Sequence, residues 1–386
     1  MLMYSENEIL QIAKRFNNKK RGYLLLNPLQ AKHVPVSPNI SIKMMESLGE
    51  QLYEKYPSVK LIIGFAETAT AIGAVVANCF PNDCYYIHTT REKFKKQEKY
   101  IDFLEEHSHA AVQMLYTENL FDKIADTDTI IFVDDELSTG KTMMNIVARL
   151  KEAFPIMSEK KIIAASLLNR VSENDEKELK LAGIQCEYLV KIKKDNFDAM
   201  IDHIVVKEAE TLYCETECQW SNIYLSCQTF LDPRKGIINY EYEQNCRNVA
   251  VSFINRFNRA FEGYKKVLVL GTEECMYPGL VLGYEIEHLF VNCTVNCHAT
   301  TRSPIGISAE NGYPIISGYK IKSFYEYERT TYIYNLQKYD AVVIVSDNKE
   351  TNLEALNTIV NLFNNEDICD YYYIQGGSNV WYLQKR

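Results

Sequence analysis

Short apolar runs alternate along the first half of the chain with longer segments whose apolar positions recur at helical spacing. Residues 59–64, Val-Lys-Leu-Ile-Ile-Gly, have the character of a buried strand ending on glycine. Phe65-Ala66-Glu67-Thr68 then turns into an apolar helix over 69–78. Residues 84–88, 129–133 and 161–168 read as further strands, and 142–154 as a helix. Upstream, Ile9, Leu10, Ile12, Ala13 and Phe16 place an amphipathic helix over 5–20. A strand at Tyr23–Leu26, a loop stiffened by Pro35 and Pro38, and a helix over 40–56 follow. Strands that alternate with helices predict an α/β fold, a mostly parallel sheet with helices on both faces.

The rhythm is lost between 206 and 245, a Tyr-, Cys- and Glu-rich stretch that includes Asp232-Pro233-Arg234-Lys235-Gly236. A second α/β unit is expected from about 246, with a helix to Phe261 and a strand over 266–270. The pattern therefore predicts a domain over 1–205, a connecting region over 206–245 and a second domain over 246–386.

Composition changes this picture little. The 386 residues are 47% hydrophobic and 24% charged, enough for two real cores. A net charge of −9 argues against a broad nucleic-acid or anionic-membrane surface. No apolar run reaches the ~18 residues of a membrane span, and the first residues lack the apolar core of a secretory signal. Eleven cysteines without such a signal are expected to be reduced thiols in the cytoplasm. Neither Cys214, Cys218 and Cys227 nor Cys293 and Cys297-His298 has the paired spacing of a zinc site, so no metal-ligating residues are assigned.

Candidate chemistry concentrates at 130–142, Ile-Ile-Phe-Val-Asp-Asp-Glu-Leu-Ser-Thr-Gly-Lys-Thr. An apolar strand runs into Asp134 and Asp135, and Ser138, Thr139, Gly140, Lys141 and Thr142 lead into a helix. Backbone N–H groups at a helix N-terminus, hydroxyl side chains and a glycine make a phosphate cradle. Two carboxylates beside it do not suit phosphate; they suit neutral hydroxyls, such as those at C2 and C3 of a ribose. A nucleotide P-loop needs a glycine where Asp135 stands, so that motif is excluded. Gly64, Phe65, Ala66, Glu67 and Thr68 form a second strand-to-helix turn, and His88 to Lys96 carries a basic stretch that includes Arg91, Lys93, Lys95 and Lys96.

The 130–142 pattern resembles the signature of type I phosphoribosyltransferases. The resemblance implies that the 138–142 loop binds the 5-phosphate of phosphoribosyl pyrophosphate, Asp134 and Asp135 the ribose hydroxyls, and residues 64–68 the pyrophosphate. It implies that the basic loop with Arg91 closes over the leaving group, and that Mg²⁺ serves as cofactor, held mainly by substrate oxygens and water. A small base-like acceptor completes the reaction. Oxopurine enzymes of this type carry an acid directly before Thr-Gly; Ser138 stands there and counts against that acceptor class.

The whole chain is similar to a bacterial family of two-domain phosphoribosyltransferases encoded with tellurium-resistance and stress-response genes. The matching stretches are 27–35, 64–70, 133–140, Asp232 to Gly236, Gly271-Thr272-Glu273-Glu274 and Thr301-Arg302-Ser303-Pro304, the tetrapeptide (TRSP) that names the second domain. The resemblance implies a nucleotide- or nucleoside-like product and allows a homodimer or other stress-operon proteins as partners. Lys32 and His33 either shape the acceptor site or anchor a proline-stiffened loop. Arg302 either faces a substrate cleft with Glu274 or lies in a surface ion pair. Two further readings stand beside the enzyme: a non-catalytic sensor of phosphoribosyl pyrophosphate or a nucleotide, and a structural partner in a stress complex.

The second half also echoes the first. The segments beginning Lys60, His88 and Ile130 are paralleled, in order, by those beginning Lys266, His298 and Val342. From Gly64 to Arg91 is 27 residues, and from Gly271 to Arg302 is 31; from Arg91 to Asp135 is 44, and from Arg302 to Asp347 is 45. The second domain is thus expected to be a degenerate repeat that lost its phosphate loop, since Asn348-Lys349-Glu350 follows Asp347.

Overall fold

The computed structural model describes every residue except 1–2, 19–20, 94–97, 105–111, 195, 212–217, 351, 364–369 and 384–386. The chain forms two compact units, each discontinuous in sequence. The first comprises Met1–Glu8, Lys43–Asp195 and Leu231–Glu243; the second comprises Ile9–Ile42, Asn196–Phe230 and Gln244–Arg386. Both are α/β.

In the first unit, strands β1 (Leu61–Gly64), β2 (Tyr85–His88), β3 (Tyr100–Leu104), β4 (Val112–Tyr116), β5 (Thr129–Leu137), β6 (Lys161–Asn169) and β7 (Ile184–Lys191) follow in chain order. Helix α1 (Thr70–Asn78) follows β1, and α2 (Lys141–Ala153) follows β5. The central sheet has the order β2-β1-β5-β6-β7, all parallel, with Ile237–Ile238 added antiparallel to the outer edge of β2. Its middle strands are apolar without alternation, because helices cover both faces; Ile62, Ile63, Ile130 to Val133 and Ile163 are fully buried. At roughly 1.5–3 kcal/mol per fully buried side chain, such strands hold the loops at their ends firmly in place. β3 and β4 pair antiparallel as a separate ribbon. The sequence pattern does not resolve this ribbon.

In the second unit, β8 (Lys266–Gly271), β9 (Thr294–Ala299), β10 (Gly318–Lys322), β11 (Thr330–Tyr334), β12 (Ala341–Ser346), β13 (Asp370–Gln375) and β14 (Asn379–Leu383) follow in order. The sheet order is β9-β8-β12-β13-β14, ending on Ser221–Tyr224. Its first four strands are parallel and the last two pairings antiparallel. Leu268, Leu270, Val342, Ile344, Leu356 and Ile359 lie in its core.

The repeat expected from sequence is present in the fold. β2-β1-β5-β6 and β9-β8-β12-β13 share order and direction, and each unit inserts an antiparallel pair, β3–β4 or β10–β11, before the third of those strands in sequence. The correspondence reaches single hydrogen bonds. Thr89 N–H donates to Gly64 O at 2.9 Å and Thr300 N–H to Gly271 O at 3.0 Å. Phe65 N–H donates to Val133 O, and Thr272 N–H to Val345 O. Ala66 N–H donates to Thr89 Oγ1, and Glu273 N–H to Thr300 Oγ1, both at 2.9 Å. Thr90 bridges Met114, and Thr301 bridges Tyr332. Arg91 therefore matches Arg302, Ala66 matches Glu273 and Asp135 matches Asp347. The final departure is β14, antiparallel where β7 is parallel.

Three sequence expectations are corrected. The helix over 5–20 is instead a single helical turn, Glu6–Ile9, followed by a strand, Gln11–Lys14. That strand pairs antiparallel with Tyr23–Leu26, and this partner decides between two periods that the short apolar pattern fits equally. Residues 9–42 pack within the second unit rather than the first, with Arg15 bridging Ile305 and Val36 bridging Cys297. The expected connecting region is divided: Leu231–Glu243 belong to the first unit, and the rest of it to the second. No helix among the described residues is long and apolar enough to cross a membrane.

Candidate active site

β5 carries its acids further along the sheet than a strand ending at 133 would. Glu136 and Leu137 still pair with Leu168 and Asn169 of β6, so Asp134 and Asp135 sit on a hydrogen-bonded strand. Both are half-buried. Asp134 Oδ1 accepts from Asp135 N–H at 2.9 Å, and Asp135 Oδ1 accepts from Thr68 Oγ1 at 2.8 Å. Glu136 is held apart by an ion pair with Arg170 at 2.9 Å. Burial pushes the Asp135 carboxyl above its ordinary value, and hydrogen bonds with Asp134 and Thr68 work against that rise.

This has a consequence for stability. A carboxyl whose folded value lies above its unfolded value weakens the fold once pH exceeds both. Asp135→Asn, which keeps an acceptor for Thr68, is expected to melt above the wild type at neutral pH. The gap should close as pH falls through the raised value toward the ordinary aspartate range. Thermal denaturation across pH checks this, and a lower melting temperature at neutral pH would contradict it.

The phosphate-loop candidate follows β5. Gly140 has φ 76° and precedes α2. A Cβ added to it would meet Leu179 Cδ1 at 2.6 Å, so only glycine suits both the left-handed backbone and the close packing. Thr139 Oγ1 accepts from Lys141 N–H at 3.3 Å, and the N-cap residue, Gly140, has no side chain to cap α2. Ser138, Thr139 and Thr142 are half-buried, and Lys141 is exposed. A 13-residue helix begins here with its positive end toward the strand edge where Asp134 and Asp135 lie.

The second loop leaves β1, the parallel neighbour of β5, at the same sheet edge; Gly64 stands opposite Val133. Phe65 and Ala66 spend their N–H groups on Val133 O and Thr89 Oγ1, so those two donors are not offered to a ligand. Gln113 of β4 donates to Ala66 O at 2.8 Å and accepts from Thr89 Oγ1. The Ala66–Glu67 peptide is cis. Glu67 is 3% exposed. The loop is a fixed shelf, tied to the acids of β5 by the Thr68–Asp135 hydrogen bond.

The expected basic loop is anchored at its start. Thr89 and Thr90 are fully buried, and Thr90 exchanges both backbone hydrogen bonds with Met114. Arg91, half-buried, follows directly, and Lys93 is exposed. Lys95 and Lys96 lie outside the described residues. Sequence reasoning missed the edge segment that follows Leu231. Ile237 pairs with Tyr86, which places Asp232 to Lys235 toward the His88 end of β2. There Arg234 binds Asp232 at 2.8 Å and Lys235 binds Glu98 at 3.0 Å. The Pro-Arg-Lys-Gly turn was visible in the sequence, but local pattern does not reveal a strand partner 150 residues away.

Lys32, His33 and Arg302 belong to the second unit and are not among the residues that the first unit gathers. Lys32 is fully buried, and its ammonium donates to Glu273 O and Thr300 O, both at 2.9 Å. His33 is 3% exposed. Arg302 pairs with Glu273 at 2.8 Å and with Glu274 at 3.9 Å. Lys32→Met leaves two buried carbonyls short of a donor, at about 1–3 kcal/mol each. The expected result is a clearly lower melting temperature. A variant that melts like the wild type would contradict this structural role for Lys32.

Among the described residues, no group of three or more His, Cys, Asp or Glu side chains could hold a metal ion. Cys227, Cys293 and Cys297 are free thiols, and Cys214 lies outside the described residues.

A parallel sheet whose carboxyl edge carries a glycine turn into α2, paired acids and a second strand-to-helix shelf defines an open α/β fold of the kind that places its site at that edge. Residues 9–194 match a family model described as phosphoribosyl transferase, and residues 234–363 match the TRSP domain described as C-terminal to it. Among solved structures, it is similar to adenine phosphoribosyltransferase from Trypanosoma brucei, crystallised with AMP, pyrophosphate and ribose-5-phosphate. The identity is 14%, covering 47% of this chain and 76% of that one, with a TM-score of 0.34. The enzyme from Rhodothermus marinus gives 14% identity, 48% and 96% coverage, and a TM-score of 0.35. That from Leishmania tarentolae gives 16%, 48%, 85% and 0.34. Likeness at this level says nothing about the acceptor. No curated protein matches the chain.

Proposed function

We propose that the first unit transfers a phosphoribosyl group from phosphoribosyl pyrophosphate to a nitrogenous base or base-like acceptor, releasing pyrophosphate in the making of a nucleotide-like product. The observation that carries this reading is the Thr68–Asp135 hydrogen bond, which couples the shelf after β1 to the acids and phosphate loop of the neighbouring β5. One ligand with a phosphate at one end, a diol in the middle and a diphosphate at the other fits that sequence of groups. Ser138 to Thr142 take the 5-phosphate through hydroxyls and the α2 N-terminus. Asp134 and Asp135 accept hydrogen bonds from the ribose hydroxyls and orient C1. The diphosphate lies by Glu67 and Thr68, with Arg91 arriving from β2 to offset its charge.

The C1–oxygen bond to diphosphate breaks as the acceptor nitrogen bonds to C1. The bonding pair leaves with the diphosphate, and the acceptor later sheds a proton. Charge builds on the leaving group and on the ring, so fixed charges around each are what the protein contributes. The paired carboxylates offer oxygen ligands that suit Mg²⁺, and such a cation, brought with the diphosphate, supplies further charge neutralisation.

Incubation with phosphoribosyl pyrophosphate, Mg²⁺ and a panel of bases tests the reading. Release of pyrophosphate that depends on one base supports it. Tight binding with no release for any base would favour a sensor, and no binding would refute the site.

A further inference from the structure

We propose that the second unit carries a silenced anion site, in which Glu273 supplies from within the chain the negative charge that a ligand diphosphate would bring. The inference rests on reading the 64–68 shelf as the diphosphate side of the first unit. It begins from the hydrogen-bond correspondence between the units, which sets Glu273 on Ala66 and Arg302 on Arg91. At this position the first unit has an uncharged methyl, and the second has a carboxylate with no exposed surface.

That carboxylate is surrounded as a bound anion would be. Arg302 Nε lies 2.8 Å from Oε2, and Arg329 Nη1 lies 3.3 Å from the same oxygen. Ser323 Oγ donates to Oε1. Ser323 and Arg329 both come from the turn joining β10 to β11, so the ribbon's tip is fastened over the loop by the side chain beneath it. An isolated carboxylate in this interior would be costly; two guanidinium groups and a hydroxyl make it tolerable. The other half of the ligand site is also gone. Asp347 remains in place of Asp135, but Ser346 replaces Asp134, and Asn348-Lys349-Glu350 replaces the hydroxyl-glycine loop. Asp347 is occupied by Tyr325, whose hydroxyl donates to it. The repeat has kept the fold of the site and filled its anion position from within, which leaves one diphosphate-accepting site per chain.

Calorimetric titration of the full chain with inorganic diphosphate and Mg²⁺ tests this. Glu273→Ala is expected to bind one more equivalent than the wild type, and Glu273→Gln, which keeps the space filled, none more. Adding Arg302→Ala to Glu273→Ala should remove the extra equivalent. If Glu273→Ala is poorly folded, Glu273→Ser provides the smaller perturbation. For either variant, diphosphate should then raise the melting temperature saturably and by more than in the wild type. No extra equivalent and no such rise in either variant would overturn the proposal. Because the readout is the increment over wild type, a wild type that binds no diphosphate would count against the proposed function alone.

Discussion

Replacing both strand acids, Asp134→Asn with Asp135→Asn, is expected to lower kcat/KM for phosphoribosyl pyrophosphate by roughly two orders of magnitude while leaving the fold intact. A hydrogen bond to a charged group contributes about 1.5–3 kcal/mol. Each amide keeps one acceptor oxygen, and so a neutral hydrogen bond of about 0.5–1.5 kcal/mol, but loses the charge; the pair thus loses about 2–3 kcal/mol of ligand interaction, at 1.4 kcal/mol per tenfold. The fold should tolerate the change because Ile130 to Val133, not the acids, pin β5. Steady-state pyrophosphate release, with circular dichroism as the control for folding, measures both. Turnover near the wild-type value would remove Asp134 and Asp135 from the site.

Gly140→Ala is expected to act through geometry instead. An L residue at φ 76° costs about 1–2 kcal/mol. The added carbon, 2.6 Å from Leu179 Cδ1, costs about 1–3 kcal/mol more as overpacking. The melting temperature should fall by several degrees. The loop should also draw back from the 5-phosphate, so KM for phosphoribosyl pyrophosphate should rise more steeply than kcat falls. If stability falls and KM does not move, the loop is structural only. A Leu179→Ala partner mutation should recover part of the lost KM effect, since it removes the atoms that the new carbon strikes.

The features legible in sequence are those whose causes are local. β1, β2, β5, β6, α1 and α2 were expected within a few residues, because a buried strand needs an unbroken apolar run and Gly140 and Gly64 mark where it turns. The repeat was legible for the same reason: strand ends and their loop residues survive in order. What failed depended on partners distant in sequence. Ile9 and Ala13 are buried in either a helix or a strand, and only Tyr23–Leu26 decides. Nothing near Lys32 says that its ammonium will meet Glu273 and Thr300, some 240 and 270 residues on. The Asp232–Gly236 turn likewise gives no sign that it leads into an edge strand beside β2. In the site itself, Asp134, Asp135 and the 138–142 loop could be read off directly. Gln113, which ties the shelf together, lies in a ribbon too short and too polar in pattern to stand out.

The central claim is that phosphoribosyl pyrophosphate lies across the carboxyl edge of the first sheet in one orientation. A crystal structure of the chain with phosphoribosyl pyrophosphate and Mg²⁺, without an acceptor, tests it most directly. The account predicts the 5-phosphate against Ser138 to Thr142, the ribose hydroxyls on Asp134 and Asp135, and the diphosphate beside Glu67, Thr68 and Arg91. A 5-phosphate held at the 64–68 shelf, or a ligand bound only in the second unit, would contradict it.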